Sequence, residues 1–358
     1  MKRRKLRRRL LALAIGAAVG LLLAEMGVRV FRALTDGKKL AASQMTTGAQ
    51  RGLPPGAKVA LAQIVRAAKN PSIVYELVPD LDVTFENAPL VTNADGFVGP
   101  PRTHAKPANG FRVVGIGDSV LFGWGVPYES CGLAVLERKL QAALPDRIVE
   151  TVDTGVPGYN TAMEEHVLRD KGLAYAPDVV LVDFVGNDFD LPDFLWDQPD
   201  YLALDRSFLF ELVRRVRWQR DWKPGGPFVW APHDPTGRRF EYRTEHVPEP
   251  YRHLVGPDAY RRAMTAITAL GRERGFRVLV TCHHRMLPQA VAVCEDLGVP
   301  ISSPLERLQQ WLHEHGDIDY LASPLVLSER DPHPSAILHG MWADAAFERM
   351  RELDWLPR

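Results

Sequence analysis

Residues 178–186 read DVVLVDFVG. A strand with one wet face alternates apolar and polar residues with period two; this run does not alternate, so it has to be covered on both faces. Parallel sheets wrapped by crossover helices meet that demand. The surrounding sequence supplies the wrapping. FRVVGIG (111–117) predicts a strand, and Leu133, Leu136 and Leu140 mark the inner stripe of a helix after it. RIVETVDT (147–154) predicts a second strand, followed by a helical stretch from Thr161 to about Tyr175. Tyr260, Met264, Ile267 and Leu270 recur at helical spacing ahead of a strand at FRVLVTC (276–282). AVAVCEDLG and VPISS (290–303) read as a further helix and short strand, and an amphipathic helix runs from about Pro334 to Leu353. The expected fold class is α/β, three layers α/β/α with a central parallel sheet.

The N-terminus obeys different rules. Seven of the first nine residues, MKRRKLRRR, are basic, and residues 10–24 form a run of fifteen without a charge. Glu25 interrupts it and MGVRVF resumes. A basic flank before an apolar helix fits a signal peptide or an uncleaved anchor. With no small-x-small cleavage pattern directly after the run, residues 1–32 are read as a transmembrane signal anchor. The positive-inside rule then leaves the N-terminus in the cytoplasm and everything beyond about residue 30 outside, as for a single-pass protein of a bacterial-type inner membrane. Gly16 and Gly20 form a Gly-x-x-x-Gly pair of the kind that lets such helices pack closely. Lysines and arginines together balance aspartates and glutamates at 44 each, which argues against general nucleic-acid binding. Residues 33–110 read as a stalk and an irregular extension, with 111–358 as the folded domain.

Within that domain, about 189–257 breaks the strand–helix rhythm. It holds Trp196, Trp218, Trp222 and Trp230, many prolines and the basic stretch FELVRRVRWQR (210–220). This block is read as a cap-like insertion over the C-terminal edge of the sheet, where ligands bind in such folds. The tryptophans suit packing or sugar stacking, and Arg214, Arg215, Arg217 and Arg220 a solvated helix face. Cys131, Cys282 and Cys294 sit in apolar segments and read as buried thiols or at most one disulfide.

The strand at 111–117 runs directly into Gly-Asp-Ser within GIGDSVLFGWGV (115–126). A dinucleotide fingerprint fails because Val120 stands where the third glycine belongs, and no Gly-Lys-Ser/Thr follows. A nucleophile elbow fails at Leu121. What survives is a serine presented at a strand's C-terminal end. Taken alone, Ser119 could simply cap a helix.

Four ordered blocks resemble the SGNH (GDSL-like) hydrolase family, a three-layer, flavodoxin-like fold. They are GDSVLFGWG (117–125), VDTGVPGYNT (152–161), VGND (185–188) and DPHPSAILHG (331–340). The resemblance implies Ser119 as nucleophile, His333 as base and Asp331 as its partner. It also implies an oxyanion hole from the Ser119 amide, the Gly158 amide and the Asn187 side chain. Two residues depart from the family pattern. Asp331-Pro332-His333 is one residue shorter than the usual Asp-x-x-His, which leaves Glu329 as a fallback orienter. Asp153 stands where asparagine is usual and is read as a loop brace. TNADGFVGPPR (92–102) resembles a segment of membrane-anchored members, with Val98 where arginine is frequent.

The chemistry is coherent without the family. A serine hydroxyl attacks an ester only when a base takes its proton, and the oxyanion that forms needs donors already in place. His339 competes with His333 as base, and His283 with His284 offers the beginnings of a metal site without a third ligand in sequence. The function implied is a membrane-anchored serine esterase acting through an acyl-enzyme on short-chain acyl esters of a carbohydrate or envelope component, without cofactor or metal. The alternatives are an O-acyltransferase with the same triad and a catalytically silent glycan-binding protein.

Overall fold

The computed structural model describes residues 2–45, 54–196 and 247–357 and, between the last two, 202, 204, 207–210, 212–213 and 228–231. At its centre lie five parallel strands: β6 (Gly110–Gly117), β7 (Ile148–Asp153), β8 (Val179–Asp183), β11 (Arg277–Thr281) and β12 (Ile301–Ser302). Their spatial order is β12-β11-β8-β6-β7. Read from β7 and renumbered by sequence order, this is 2-1-3-4-5, the doubly wound arrangement in which the strand order reverses between β6 and β8.

Alternation within each strand distributes the core. Val114, Ile116, Val152, Val180, Val182 and Val280 face α4 (Thr161–Asp170), α5 (Pro257–Arg274) and α6 (Pro288–Leu297), packing with Met163, Val167, Met264 and Ile267. Val113, Val149, Val179, Leu181 and Leu279 face the opposite way. They meet α3 (Gly132–Ala143) and α7 (Ala336–Glu352) through Leu133, Leu136, Leu140, Trp342 and Ala346. Every residue of β8 is buried, as its unbroken apolar run requires.

Two N-terminal readings look different in three dimensions. The helix α1 (Lys2–Met45) is continuous well past residue 32, and its Arg8–Leu34 portion is long and apolar enough to cross a bilayer. The stretch read as an irregular approach carries β1 (Ala57–Val59), β2 (Val65–Ala67), β3 (Tyr75–Leu77), β4 (Asp82–Phe85) and β5 (Ala88–Val91). Ile64, Val65, Val74, Tyr75 and Leu77 enter the same core as the α4–α5 face of the sheet. The Tyr75 hydroxyl donates to the Pro157 carbonyl at 2.8 Å, tying this segment to the loop after β7. Strands of three or four residues, several of whose buried side chains lie in the turns between them, have no readable period.

The insertion read at about 189–257 falls largely outside the described residues, including Trp218, Trp222 and the four arginines from Arg214 to Arg220. Its described parts are the antiparallel pair β9 (Phe194–Trp196) and β10 (Phe228–Trp230), helical residues 208–210 and 212–213, and a 3-10 turn at Glu249–Leu254. These do not amount to a separate cap. Cys131, Cys282 and Cys294 are all buried free thiols.

Asp153 ends β7 as the loop brace expected of it: its carboxylate accepts the Gly155 amide at 2.9 Å. Burial, opposed by that hydrogen bond and reinforced by the charge of Asp183, pushes its carboxyl up to about 8. In the unfolded chain the same group titrates near ~4. Its folded pKa is therefore raised, so its stabilising contribution is present below pH ~4 and is lost as pH rises through about 8. Asp153→Asn keeps an acceptor for Gly155 and removes the ionisation. Thermal unfolding of the full-length protein in detergent should show the variant gaining on the wild type between pH 5 and pH 9; an equal difference at both pH values would refute this account.

Candidate functional site

The C-terminal ends of β6, β7 and β8 lie side by side, with Gly115 opposite Asp153 and Gly117 opposite Asp183. Ser119 follows β6 directly and opens the short helix α2 (Ser119–Phe122). Asp118 caps that helix, its Oδ1 accepting the Val120 amide at 2.8 Å. The capping role offered for Ser119 therefore belongs to Asp118. The Ser119 side chain is left facing outward, half-buried, at the strand end.

His333 reaches Ser119 from 214 residues away. Its Nε2 lies 2.9 Å from Ser119 Oγ, and its Nδ1 lies 2.6 Å from Asp331 Oδ1. Asp331 and His333 both belong to β14 (Asp331–Pro334), which pairs antiparallel with β13 (Val326–Ser328). Residues i and i+2 of a strand project from the same face, so one intervening residue is enough to place the carboxylate on the imidazole. The shortened Asp-x-His spacing is thus a strand solution, and Asp331, not Glu329, occupies Nδ1. All three side chains remain open to solvent in part, with His333 24% and Asp331 32% exposed.

Asn187 follows β8 in the 3-10 turn Gly186–Phe189. Its Nδ2 donates to Asp118 Oδ2 at 2.9 Å, and the same oxygen lies 3.4 Å from Ser119 Oγ. An amide nitrogen carries two hydrogens, so one remains after Asp118 has been satisfied. Asp118 thereby ties the serine turn to the asparagine turn. Burial pushes its carboxyl up, against the pull of the Val120 and Asn187 hydrogen bonds.

Gly158 stands in the loop after β7, which runs beside the end of β6 through Val156 N–H to Gly117 C=O at 3.1 Å. Its φ is +76°, and a Cβ there would lie 2.4 Å from the Asp193 carboxyl carbon, so both conformation and space require glycine. The structure brings Ser119, His333, Asp331 and Asn187 into one chain of contacts and sets Gly158 on the adjoining loop.

Trp124 is a partner that the sequence reading missed. Its ring stacks on His333 at 4.8 Å between centroids and 11° between planes, and its Nε1–H donates to Asp331 Oδ2 at 3.2 Å. The flanking Gly123 and Gly125 have φ of +78° and +70°. A Cβ on either would collide with Cys131 Sγ or Leu327 Cδ1. That turn swings Trp124 back so that its amide bonds the Ser119 carbonyl at 3.1 Å. The clue in the sequence was a bulky aromatic between two glycines.

The rival histidines have structural surroundings. His339 Nδ1 accepts the Gly132 amide at 3.3 Å, which places the ring proton on Nε2. Burial, then the neighbouring His283 and His333, hold it well below the usual histidine range, so it stays neutral. His283 is wedged between His339 and Asp183, with ring nitrogens 3.3 Å from each. Asp183 Oδ1 also accepts from Thr281 Oγ1 at 2.8 Å and Trp342 Nε1 at 2.9 Å. His284 turns away to the surface beside Tyr320. The two adjacent histidines do not converge on a common point.

Among solved structures, the chain is similar to a catalytic mutant of an acetylxylan esterase from Geobacillus stearothermophilus. That match has 13% identity and a TM-score of 0.41, covering 72% of this chain and 100% of the other. It is also similar to the lipase/acylhydrolase from Enterococcus faecalis, with 14% identity and a TM-score of 0.37, over 68% of this chain and 96% of the other. No curated protein matches the sequence. Residues 116–298, just over half of the chain, match the profile of the GDSL-like Lipase/Acylhydrolase family, and the chain belongs to that esterase and lipase family.

Proposed function

We propose that this protein is a membrane-anchored serine esterase with its catalytic domain on the outer side of the membrane. One observation carries the reading: His333 spans Ser119 and Asp331 with one ring nitrogen on each, at 2.9 and 2.6 Å. His333 Nε2 takes the hydroxyl proton as Ser119 Oγ attacks the ester carbonyl, and Asp331 orients the ring and stabilises its charged form. The tetrahedral oxyanion is received by the Ser119 and Gly158 amides and the free Nδ2 hydrogen of Asn187. His333 then protonates the leaving alcohol. The acyl-serine is hydrolysed when His333 activates water, which returns Ser119 to its starting state.

The proposed substrates are short-chain acyl esters, such as O-acetyl groups, on a carbohydrate or envelope component. A Ser119 that is half-buried and open to solvent at the sheet edge suits an acyl group carried on a larger molecule, and an anchor of the composition of residues 1–32 directs the domain away from the cytoplasm. Neither cofactor nor metal enters the scheme. An O-acyltransferase would share every step up to the acyl-serine and differ in the acceptor.

The first test is hydrolysis of a short-chain aryl ester by the full-length protein in detergent, beside Ser119→Ala of matching circular dichroism. Turnover should fall by roughly 10⁴-fold or more in the variant; equal turnover in the two proteins would sink the serine mechanism. Asn187→Ala should lower kcat by roughly 10²–10³-fold, the usual effect of losing one oxyanion donor. A loss confined to KM would instead assign Asn187 to substrate binding.

Trp124→Phe keeps a ring over His333 and removes the hydrogen bond to Asp331. It should lower kcat several-fold and leave KM unchanged, whereas Trp124→Ala, which also removes the stack, should lose more. Wild-type kcat in Trp124→Phe would show that the indole N–H contributes nothing, and equal losses in the two variants would show that the stack adds nothing.

A further inference from the structure

Glu25 interrupts an otherwise apolar helix, and its carboxylate is fully engaged. Oε1 accepts the Phe208 amide at 2.8 Å, and Oε2 accepts the Leu209 amide at 2.8 Å and Ser207 Oγ at 2.9 Å. Arg29 pairs with the same carboxylate at 2.8 Å. The guanidinium groups of Arg29 and Arg32 lie 4.8 and 5.3 Å from the Phe208 ring centroid. A segment of the insertion is therefore fastened to α1 by a carboxylate, backbone amides and a cation–π pair of contacts.

That segment is unusual in what it exposes. Outside α1, the four most exposed large apolar side chains among the described residues are Leu204 at 97%, Leu202 at 85%, Phe210 at 62% and Val213 at 50%; Leu212 adds 46%. All of them flank the point of attachment. Such a concentration around one point of attachment marks a contact surface.

With α1 read as a membrane span, its geometry fixes the depth of that surface. Glu25 lies sixteen residues beyond Arg9, which at 1.5 Å per residue is ~24 Å along the helix. If Arg9 marks the cytoplasmic boundary of a ~30 Å hydrocarbon core, Glu25 falls a few ångströms inside the outer boundary, with Arg29 and Arg32 at or beyond it. This is the depth at which amphipathic segments lie, with apolar side chains in the boundary between acyl chains and headgroups. A protein partner would have to enter lipid to cover the same face.

We propose that the segment bearing Leu202, Leu204, Phe210, Leu212 and Val213 is a second membrane contact, seated in the outer leaflet beside α1 and held there by Glu25. The insertion leaves the body at Asp193, whose amide bonds the Gly158 carbonyl at 3.3 Å and whose carbonyl accepts the Ala231 amide at 2.8 Å. The insertion that carries the contact therefore starts beside the Gly158 loop, at the rim of the Ser119 edge. The inference rests on α1 crossing the membrane.

The test uses the full-length protein in vesicles of phosphatidylcholine and phosphatidylglycerol. An environment-sensitive fluorophore is placed at Leu204→Cys, at Leu22→Cys within the span, or at Glu273→Cys on the far surface, the three native thiols being buried. Phospholipids brominated on the acyl chain close to the headgroup serve as quenchers. The expected result is loss of emission at Leu204 and Leu22, with Glu273 unaffected. Quenching at Leu22 with Leu204 as bright as Glu273 overturns the second contact and leaves the span standing. No quenching at Leu22 overturns both together. In Glu25→Gln, quenching at Leu204 should fall while quenching at Leu22 and aryl-ester turnover hold; unchanged quenching at Leu204 removes Glu25 as the tie.

Discussion

A parallel sheet buried on both faces leaves nowhere for chemistry except its ends. In β8 every side chain is buried, and β6 is buried from Phe111 to Gly117. Parallel strands also place all their C-termini on one edge, so the turns after β6, β7 and β8 become neighbours whatever their sequences. That constraint delivers Ser119, Gly158 and Asn187 to adjacent loops at the point where the strand order reverses. Asp118 then converts adjacency into register: one of its oxygens holds the Val120 amide, and the other holds the Asn187 side chain.

The same edge is costly to fold. Asp118, Asp153, Asp183, Asp188 and Glu164 are all buried there or just behind it. Burial, with the mutual repulsion of these carboxylates, pushes Asp188 and Glu164 well above the ordinary range. Groups of this kind favour the folded state when protonated and oppose it when ionised, so the edge is best tolerated towards the acid side. Asp183 is handled differently, through donors from Thr281 and Trp342 to one carboxylate oxygen, with His283 Nδ1 lying 3.3 Å from the other. Of the histidines behind the sheet, His283 lies against this buried carboxylate and His339 against His283, which leaves His333 alone on Ser119.

Much of this was legible because it is periodic or local. Unbroken apolar runs announce strands covered on both sides, and 3.6-residue stripes such as Tyr260–Leu270 announce the helices that cover them. The first three blocks placed the candidate site because each sits at the end of a strand that could be read, and the fourth by its resemblance alone. What escaped has no local signature. The packing of residues 57–91 into the main core depends on buried side chains in turns and on Tyr75 meeting Pro157 across 82 residues. Trp124 was visible as a residue but not as a partner, since its contact with Asp331 spans 207 positions. Glu25 looked like a flaw in an apolar run, because its ligands lie more than 180 residues further on.

The short Asp-x-His link shows how a departure from pattern can keep its geometry. Two residues of extended chain separate the Cα atoms of Asp331 and His333 by ~6.5–7 Å and return both side chains to one face. An aspartate reaching along the strand then meets Nδ1 of the imidazole and leaves Nε2 pointing off the end towards Ser119. A strand at the edge of a two-stranded ribbon is a less rigid mount than a helix packed on the sheet. The deficit is met from across the site: Trp124 lies flat on the imidazole and bonds the carboxylate oxygen that His333 does not use. Because Trp124 is held by the glycine turn that begins at α2, the serine turn and the histidine ribbon are braced by one side chain. The spacing in the last block and the aromatic in the first are therefore two parts of one solution, and a chain of this kind that lengthened the link would release Trp124 from the need to hold Asp331.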